Sequence, residues 1–464
     1  MARFWRSMAM LDSFASYRQP DETSVSSDRL SVERAVIVTV ALGTVLAPLN
    51  STMIIVALPH VMEEFSADVT SAGWLVTAYL IAMASLQPVA GKLGDRFGRR
   101  RLILGGLAYF GLASLGAAIA PSLPVLLFFR VQQAIAGAIA LPNGVALVRE
   151  VVPINRRASR FGLIGAATAL AAATGPPLSG LLIGIAGWRI IFYVNLLFIL
   201  PTLILGWRSI PVRPARGSDH PFDLAGAILL SVVLIGTAGL LMWGTKSKVA
   251  LMPVFAIVLV GVAAFFLWRE FHHPDPVLQP RFFGYRAFAA ANGAIALSNL
   301  AMYSTLLAIP ILLSRQGGWK STEIGLVLTA MSAAMIIFSP IGGRLADHFG
   351  RRWLTVTGLL LLTLGLLPLA LTGGRITLLA LLGGLGLAGV GLGLSSAGLQ
   401  TVAVESVGLQ EAGVASGVFS TSRYLGSIVG SSVLAGLLSP ARDSISGFET
   451  LFMMVVVGAF LSAL

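Results

Sequence analysis

The sequence predicts an all-α membrane protein whose chain crosses a bilayer fourteen times. Three observations predict it. Of the 464 residues, 56% are apolar and only 11% are charged, whereas a soluble domain carries about 25% charged residues to meet water. The apolar residues fall into fourteen runs of the roughly 20 residues that a spanning helix needs. Lys and Arg lie between those runs on alternate sides, as orientation by positive charge requires.

Residues 1–34 come first. Phe4, Trp5 and Met8 stand among Arg3, Arg6, Asp12 and Arg18, and no apolar core follows a basic start. The segment therefore reads as a cytoplasmic tail with a short interfacial helix, not a cleaved signal peptide. Val36–Leu58 leads out and Ser71–Ala90 returns to a basic loop with Lys92, Arg96 and Arg99 to Arg101. Leu102–Ala120 and Val125–Val148 return to Arg149, Arg156, Arg157 and Arg160. Phe161–Ile185 and Ile190–Trp207 return to Arg208, Arg213 and Arg216. Leu224–Trp243 and Leu251–Trp268 end at Arg269, Arg281 and Arg286. The last six runs are Phe288–Leu313, Ile324–Ile341, Leu354–Leu371, Leu378–Val402, Ala412–Leu438 and Phe448–Leu464, with Arg344, Arg351 and Arg352 in one loop among them. With the tail inside, 23 of the 32 basic residues lie on the inner side and 7 outside, while Arg130 and Arg423 fall within spans. Both termini are thus assigned to the cytoplasm, in the plasma or inner membrane of the cell. The net charge of +12 follows the helix count, which a nucleic-acid surface would not do.

Cysteine is absent, which removes disulfides and thiolate metal sites. His60, His220, His272, His273 and His348 lie in or beside loops with no metal-ligand spacing. There is no phosphate-binding loop and no Ser/His/acid set at one depth, so neither an enzyme nor ATP drive is expected. No cofactor is expected either.

Two loops repeat. Gly91-Lys92-Leu93-Gly94-Asp95-Arg96-Phe97-Gly98-Arg99-Arg100 and Gly343-Arg344-Leu345-Ala346-Asp347-His348-Phe349-Gly350-Arg351-Arg352 are identical at seven of ten positions, 252 residues apart. Repeated halves mark secondary transporters. The copies are eight spans apart, so two helices, Leu224–Trp243 and Leu251–Trp268, are inserted between six-helix halves. The expected domains are 1–34 (tail), 35–210 (first bundle), 211–285 (inserted pair with linkers) and 286–464 (second bundle).

Both loops resemble the G-x-L-a-D-r-x-G-r-R signature of the major facilitator superfamily. With six, two and six spans the chain is similar to its fourteen-helix drug:proton antiporter branch. Leu49-Asn50-Ser51-Thr52 through Ala57-Leu58-Pro59 matches that branch's L-D-x-T-x-x-x-x-A-L-P pattern with Asn50 in place of Asp. Arg130-Val131-Gln132-Gln133 with Gly137 resembles R-x-x-Q-G-x-x-x-A, with Ala134 replacing the first Gly. Gly175-Pro176-Pro177-Leu178-Ser179-Gly180 resembles the antiporter motif G-P-x-x-G-G. Ser422-Arg423-Tyr424-Leu425-Gly426 with Gly430 resembles S-R-x-x-G-x-x-x-G.

The resemblance implies gating by the two loops, with Gly91, Asp95, Arg96, Gly98, Arg99 and Arg100 in the first and Gly343, Asp347, Arg351 and Arg352 in the second. Asp95 and Asp347 can accept charge-assisted hydrogen bonds that hold the halves together. The same residues would otherwise serve as an orienting anchor with a structural salt bridge. Gly175-Pro176 is expected to break or bend the fifth helix, and Gly175 and Gly180 admit a close neighbour. An Arg inside a span costs about 2.5–3.5 kcal/mol at mid-depth, so Arg130 and Arg423 face a cavity or bond backbone carbonyls between helices. Asn50, Thr52, Gln87, Gln133, Asn143, Asn292, Asn299, Tyr303 and Gln400, with Arg423, are the candidate lining of a central cavity. Each can equally make an interhelical hydrogen bond. So apolar a lining suits a lipophilic substrate better than a sugar.

The expected function is export of lipophilic or amphiphilic small molecules by alternating access, multidrug-type and coupled to the proton gradient. The alternative is a carrier of the same fold for lipids, siderophores or metabolites, uncoupled or working in uptake. Coupling needs a titrating group, and Asn50 does not ionise. The coupling candidates are Arg130, Asp95, Glu150 and Glu405. With Arg130 and Arg423 inside and no central acid, neutral or anionic amphiphiles are favoured over cations. The expected partners are a small lipophilic substrate, protons and the lipid bilayer; nucleic acid is not among them, and the protein is expected to work as a monomer.

Overall fold

The computed structural model describes residues 22–211, 223–243, 252–274, 276–316, 318–372, 377–407, 412–438 and 445–464. The tail expected over residues 1–21 lies outside that set, as do the side chains of Gly91, Lys92, Asp95, Arg96 and Asp347.

The described residues form fourteen α-helices. They are α1 (Glu22–Glu64), α2 (Val69–Phe97), α3 (Arg99–Ala118), α4 (Leu123–Val151), α5 (Ile154–Ala186), α6 (Ile190–Ser209) and α7 (Leu224–Trp243). Next come α8 (Met252–His272), a 3-10 turn (Pro280–Gly284), α9 (Arg286–Gln316) and α10 (Ser321–Phe349). The chain ends with α11 (Arg351–Thr372), α12 (Leu378–Glu405), α13 (Ala412–Leu437) and α14 (Ile445–Ala463). The helices overrun the apolar stretches. α1 begins at Glu22, well inside the segment read as a tail, because backbone hydrogen bonding continues beyond the apolar run. Among the described residues, eleven helices are long and apolar enough to cross a membrane; α5 has only the shorter apolar stretch Leu170–Ala186, and α14 only Gly447–Ala463. α5 opens on Asn155, Arg156, Arg157 and Arg160, and α13 carries Thr421, Ser422, Arg423, Ser427, Ser431 and Ser432. Those polar residues dilute the apolar windows that the sequence counts as spans.

Local chemistry sets the ends. The Asp68 carboxylate caps α2 by accepting from the Ser71 N–H at 2.9 Å. Gly98 (φ 90°) joins α2 to α3, and Gly350 (φ 87°) joins α10 to α11. Both joints need the left-handed backbone that glycine adopts without a Cβ penalty. α5 runs unbroken through Pro176 and Pro177, so of the break or bend expected there, the break does not occur. A missing N–H is tolerated where neighbouring helices satisfy the freed groups.

Packing repeats with the sequence. α1 packs on α4, α5 and α6, α4 on α2 and α3, and α3 on α6. The same six pairings recur eight helices later: α9 on α12, α13 and α14, α12 on α10 and α11, and α11 on α14. Helix bounds keep the loop offset: α2 and α10 begin and end 252 residues apart, as do the ends of α1 and α9. Between the two sets, α2 packs on α13 and α5 on α10, which is again a symmetric exchange. α7 lies against α2, α13 and α8, while α8 packs chiefly on α7 and the 3-10 turn.

The α7–α8 pair is tied at one end by buried polar groups. Asp223 accepts from the Gly226 N–H at 2.8 Å and pairs with Arg269 at 2.5 Å. Glu270 accepts from the Leu278 N–H at 2.6 Å. Large apolar side chains cover the outside; Ile119, Leu197 and Ile257 are 69%, 70% and 71% exposed. A belt of that kind is stable only against hydrocarbon.

Candidate functional site

The two ends of the molecule differ. We call the end holding the α1–α2 turn, residues 65–68, the turn end, and the end holding Gly98 and Gly350 the signature end. Among the described residues, contacts between the two helix sets cluster toward the turn end. The Thr70 hydroxyl donates to the Ala435 carbonyl at 3.0 Å, and the Thr77 and Ser431 hydroxyls lie 2.8 Å apart. His60 Nε2 and the Ser321 hydroxyl are 3.0 Å apart. α5 and α10 approach so closely that a Cβ on Gly180 would lie 2.5 Å from the Ser321 carbonyl oxygen and 3.1 Å from Gly325 Cα. A Cβ on Gly325 would lie 2.8 Å from the Pro176 carbonyl oxygen. The expectation that Gly180 admits a neighbour thus has a named partner. Gly175 serves a different seam: its Cβ would meet Thr52 Oγ1 at 1.9 Å, on α1. Thr52 itself donates to the carbonyls of Pro48 and Leu49.

At the signature end the two repeated loops make matching ion pairs. Arg99 donates to Glu150, the penultimate residue of α4, at 2.6 Å. Arg351 pairs with Glu405, the last residue of α12. Each loop therefore clamps its third helix start to the end of the fourth. Two coupling candidates, Glu150 and Glu405, are partners of signature arginines. Arg100 donates to the carbonyls of Ile210 and Trp207 at 2.7 and 2.6 Å, and its guanidinium lies over the Trp207 ring. Arg352 is exposed and Gly343 half-buried.

Between the ends lies a polar centre. Arg130, wholly buried in α4, donates to the Asn50 and Gln133 side-chain oxygens, both at 3.0 Å. Its Nε donates to the Leu75 carbonyl at 3.3 Å, and its guanidinium lies 4.3 Å from the Tyr79 ring centroid. Gln133 in turn donates to Ser114 at 2.8 Å, and Ser114 also accepts from Asn195 at 3.2 Å. Tyr303 of α9 is buried and lies within electrostatic reach of Arg130 and Arg423. Gln87 donates to the Tyr424 hydroxyl at 3.2 Å across the two sets, and Arg423 lies over the Tyr424 ring. Asn50, Gln87, Gln133, Tyr303 and Arg423 are thus brought to one region.

The contacts of the other expected lining residues are mostly to helix backbones. Asn143 is wholly buried, and its amide donates to the carbonyls of Ala90 and Ile139, both at 2.9 Å; it joins α4 to α2. A Cβ on Gly94 would lie 1.6 Å from its Oδ1, which accounts for Gly94 where the second loop carries Ala346. Asn292 donates to the Phe288 carbonyl at 2.8 Å and accepts from Ser422 at 2.8 Å. Asn299 donates to the Ile295 carbonyl at 3.0 Å. Gln400 is exposed.

A chain with two matching six-helix sets, two clamped signature loops and a polar centre between them can be compared with known proteins. The sequence profile of the Major Facilitator Superfamily matches residues 40–273 and 291–464. The chain belongs to the major facilitator superfamily. Among superfamily relatives, it is 35% identical over 439 residues to the MFS-type transporter YvkA of Bacillus subtilis, itself described as uncharacterized, covering 93% of this chain and 95% of that one. It is 33% identical over 412 residues to the multidrug resistance protein Stp of Mycobacterium tuberculosis, covering 87% of this chain and 75% of that one. The superfamily fold is also seen in a bacterial homolog of the human lysosomal transporter Spinster, solved inward-facing and unoccupied. That structure matches with a TM-score of 0.66 at 18% identity, over 93% of this chain and 97% of that one.

Three members of the polar centre, Tyr79, Ser114 and Asn195, and the Thr77–Ser431 contact toward the turn end were not singled out in the sequence. Tyr424 lay inside a quoted motif without a role. A lone Tyr or Ser in an apolar run carries no signal of its own; only the fold brings these residues to Arg130 and to the interface.

Proposed function

We propose that this superfamily member is a secondary exporter of lipophilic or amphiphilic small molecules that works by alternating access. In this reading all fourteen helices are transmembrane and arranged as six, two and six. Residues 35–210 and 286–464 are the moving bundles, 211–285 carry the inserted pair, and 1–34 are a cytoplasmic tail. The observation that carries the reading is the one-sided closure. The described contacts between bundles, Thr70–Ala435, Thr77–Ser431 and the Gly180–Ser321 approach, cluster toward the turn end. With the signature loops on the cytoplasmic side by charge, this state is inward-facing. The likeness to Stp, named for multidrug resistance, supports export.

The centre favours neutral or anionic amphiphiles. Arg130 is buried among neutral partners, and Asn50 stands where the drug:proton branch carries an acid. Proton coupling then falls to the signature end, to Asp95, Glu150 and Glu405. The test is a proteoliposome assay with dyes of differing charge under a controlled pH gradient. Neutral and anionic dyes should move outward, and Arg130→Ala, Asp95→Asn and Gly175→Ala should each lower flux at unchanged expression. Transport of a dicationic dye that survives loss of Asp95, Glu150 and Glu405 would contradict the charge assignment. Normal flux in all three variants would contradict the site. Flux in the uptake direction alone would favour the metabolite carrier.

A further inference from the structure

The guanidinium of Arg130 is fully enclosed, yet its hydrogen-bond partners carry no negative charge. Nη1 donates to the Asn50 and Gln133 amide oxygens at 3.0 Å, and Nε donates to the Leu75 carbonyl. The Tyr79 ring covers one face at 4.3 Å from its centroid. No ion pair to Arg130 exists among the described residues. Among the described residues, two donors at this contact have no acceptor: Arg130 Nη2 and Asn50 Nδ2, both buried. They belong to two side chains joined by the Arg130 Nη1–Asn50 Oδ1 hydrogen bond. An unpaired charge inside a protein is strongly destabilising, and an unmet buried donor adds its own desolvation cost. Two unmet donors and a positive charge on this hydrogen-bonded pair ask for a negative acceptor.

We propose that Arg130 and Asn50 bind a small monovalent anion, a halide or a carboxylate, between Arg130 Nη2 and Asn50 Nδ2. The anion supplies the counter-charge that residue 50, an amide, does not. Replacing Asn50 by the isosteric Asp would put that charge on the chain itself, 3.0 Å from the guanidinium, and leave the anion no role. The inference stands on this geometry and not on the exporter reading. Its test therefore uses no transport.

The purified protein in lipid nanodiscs would be unfolded thermally at fixed pH and ionic strength, with sodium MES as a bulky reference salt. Chloride or bromide would be titrated in one arm, and formate or acetate in the other. The wild type should show a saturable rise in unfolding midpoint of about 2 °C or more. A response to halide alone supports a free-ion site. A response to carboxylate alone supports a site for the carboxylate of an organic ligand. Arg130→Gln should lose the response. Should that variant fail to fold, Asn50→Asp decides: its midpoint in the reference salt should be raised, and its anion response lost. A wild type insensitive to both anions overturns the proposal. So does an Arg130→Gln or Asn50→Asp variant that keeps the full response.

Discussion

At the scale of single residues, two Arg–Glu pairs carry the repeat into three dimensions. Arg99–Glu150 has both side chains about one-fifth exposed, at 20% and 21%, whereas Glu405 in the Arg351 pair is 57% exposed. Exposed pairs contribute little, because water screens them. A double-mutant cycle on Arg99 and Glu150, read as unfolding free energy in detergent, should therefore give a coupling of about 1 kcal/mol. The same cycle on Arg351 and Glu405 should give about half of that or less. Equal couplings would mean that solvent exposure does not set the strength of the clamps. The repeat itself was legible, because Gly, Asp, Phe and Gly in register survive any random drift of a basic loop. The ion pairs were not legible. Glu150 and Glu405 lie at the ends of apolar runs, but only the packing of α4 on α3 and of α12 on α11 shows which Arg each one meets.

At the scale of helices, glycine decides how near two elements come. Gly180 and Gly325 meet backbone to backbone across the bundles, where no side chain can turn aside. A methyl group at either position must push α5 from α10. Overpacking of this sort costs about 1–3 kcal/mol, and here the cost falls only on the state closed at the turn end. Gly180→Ala and Gly325→Ala should shift the population toward turn-end opening without unfolding the chain. Labelling of a single cysteine placed at Thr77 should then speed up severalfold, an assay made simple by a sequence with no cysteine. Unchanged labelling in both variants would show that this seam does not hold the closed state. The helix count and order were readable from apolar runs, because a spanning segment must be apolar along about 20 residues. What the runs could not show is that α5 passes Pro176 and Pro177 without a break. That outcome depends on neighbours, Met53 among them, whose carbonyl accepts from Ser179 at 2.8 Å.

At the scale of the whole molecule, two helix sets with the same six pairings face each other, and α7 and α8 stand to one side. The all-helical fold was legible because the sequence repeat and the order of apolar runs both match the fourteen described helices. The candidate site was legible only in part. Arg130, Asn50, Gln133, Gln87, Tyr303 and Arg423 are polar residues in apolar runs and stand out. Asn143, Asn292 and Asn299 stand out equally, but they hydrogen-bond helix backbones, and nothing in the sequence separates the two groups. The central claim is that the sets rock about the polar centre, closing one end as the other opens. Double electron–electron resonance between spin labels at two cysteine pairs tests it most directly. One pair spans the turn end, at Glu63 and Lys320; the other spans the signature end, at Phe97 and Arg352, and all four positions are exposed. On adding a transported dye or imposing a pH change, the Glu63–Lys320 distance should lengthen while the Phe97–Arg352 distance shortens. Two distances that stay fixed under every condition, or that lengthen together, would contradict the account.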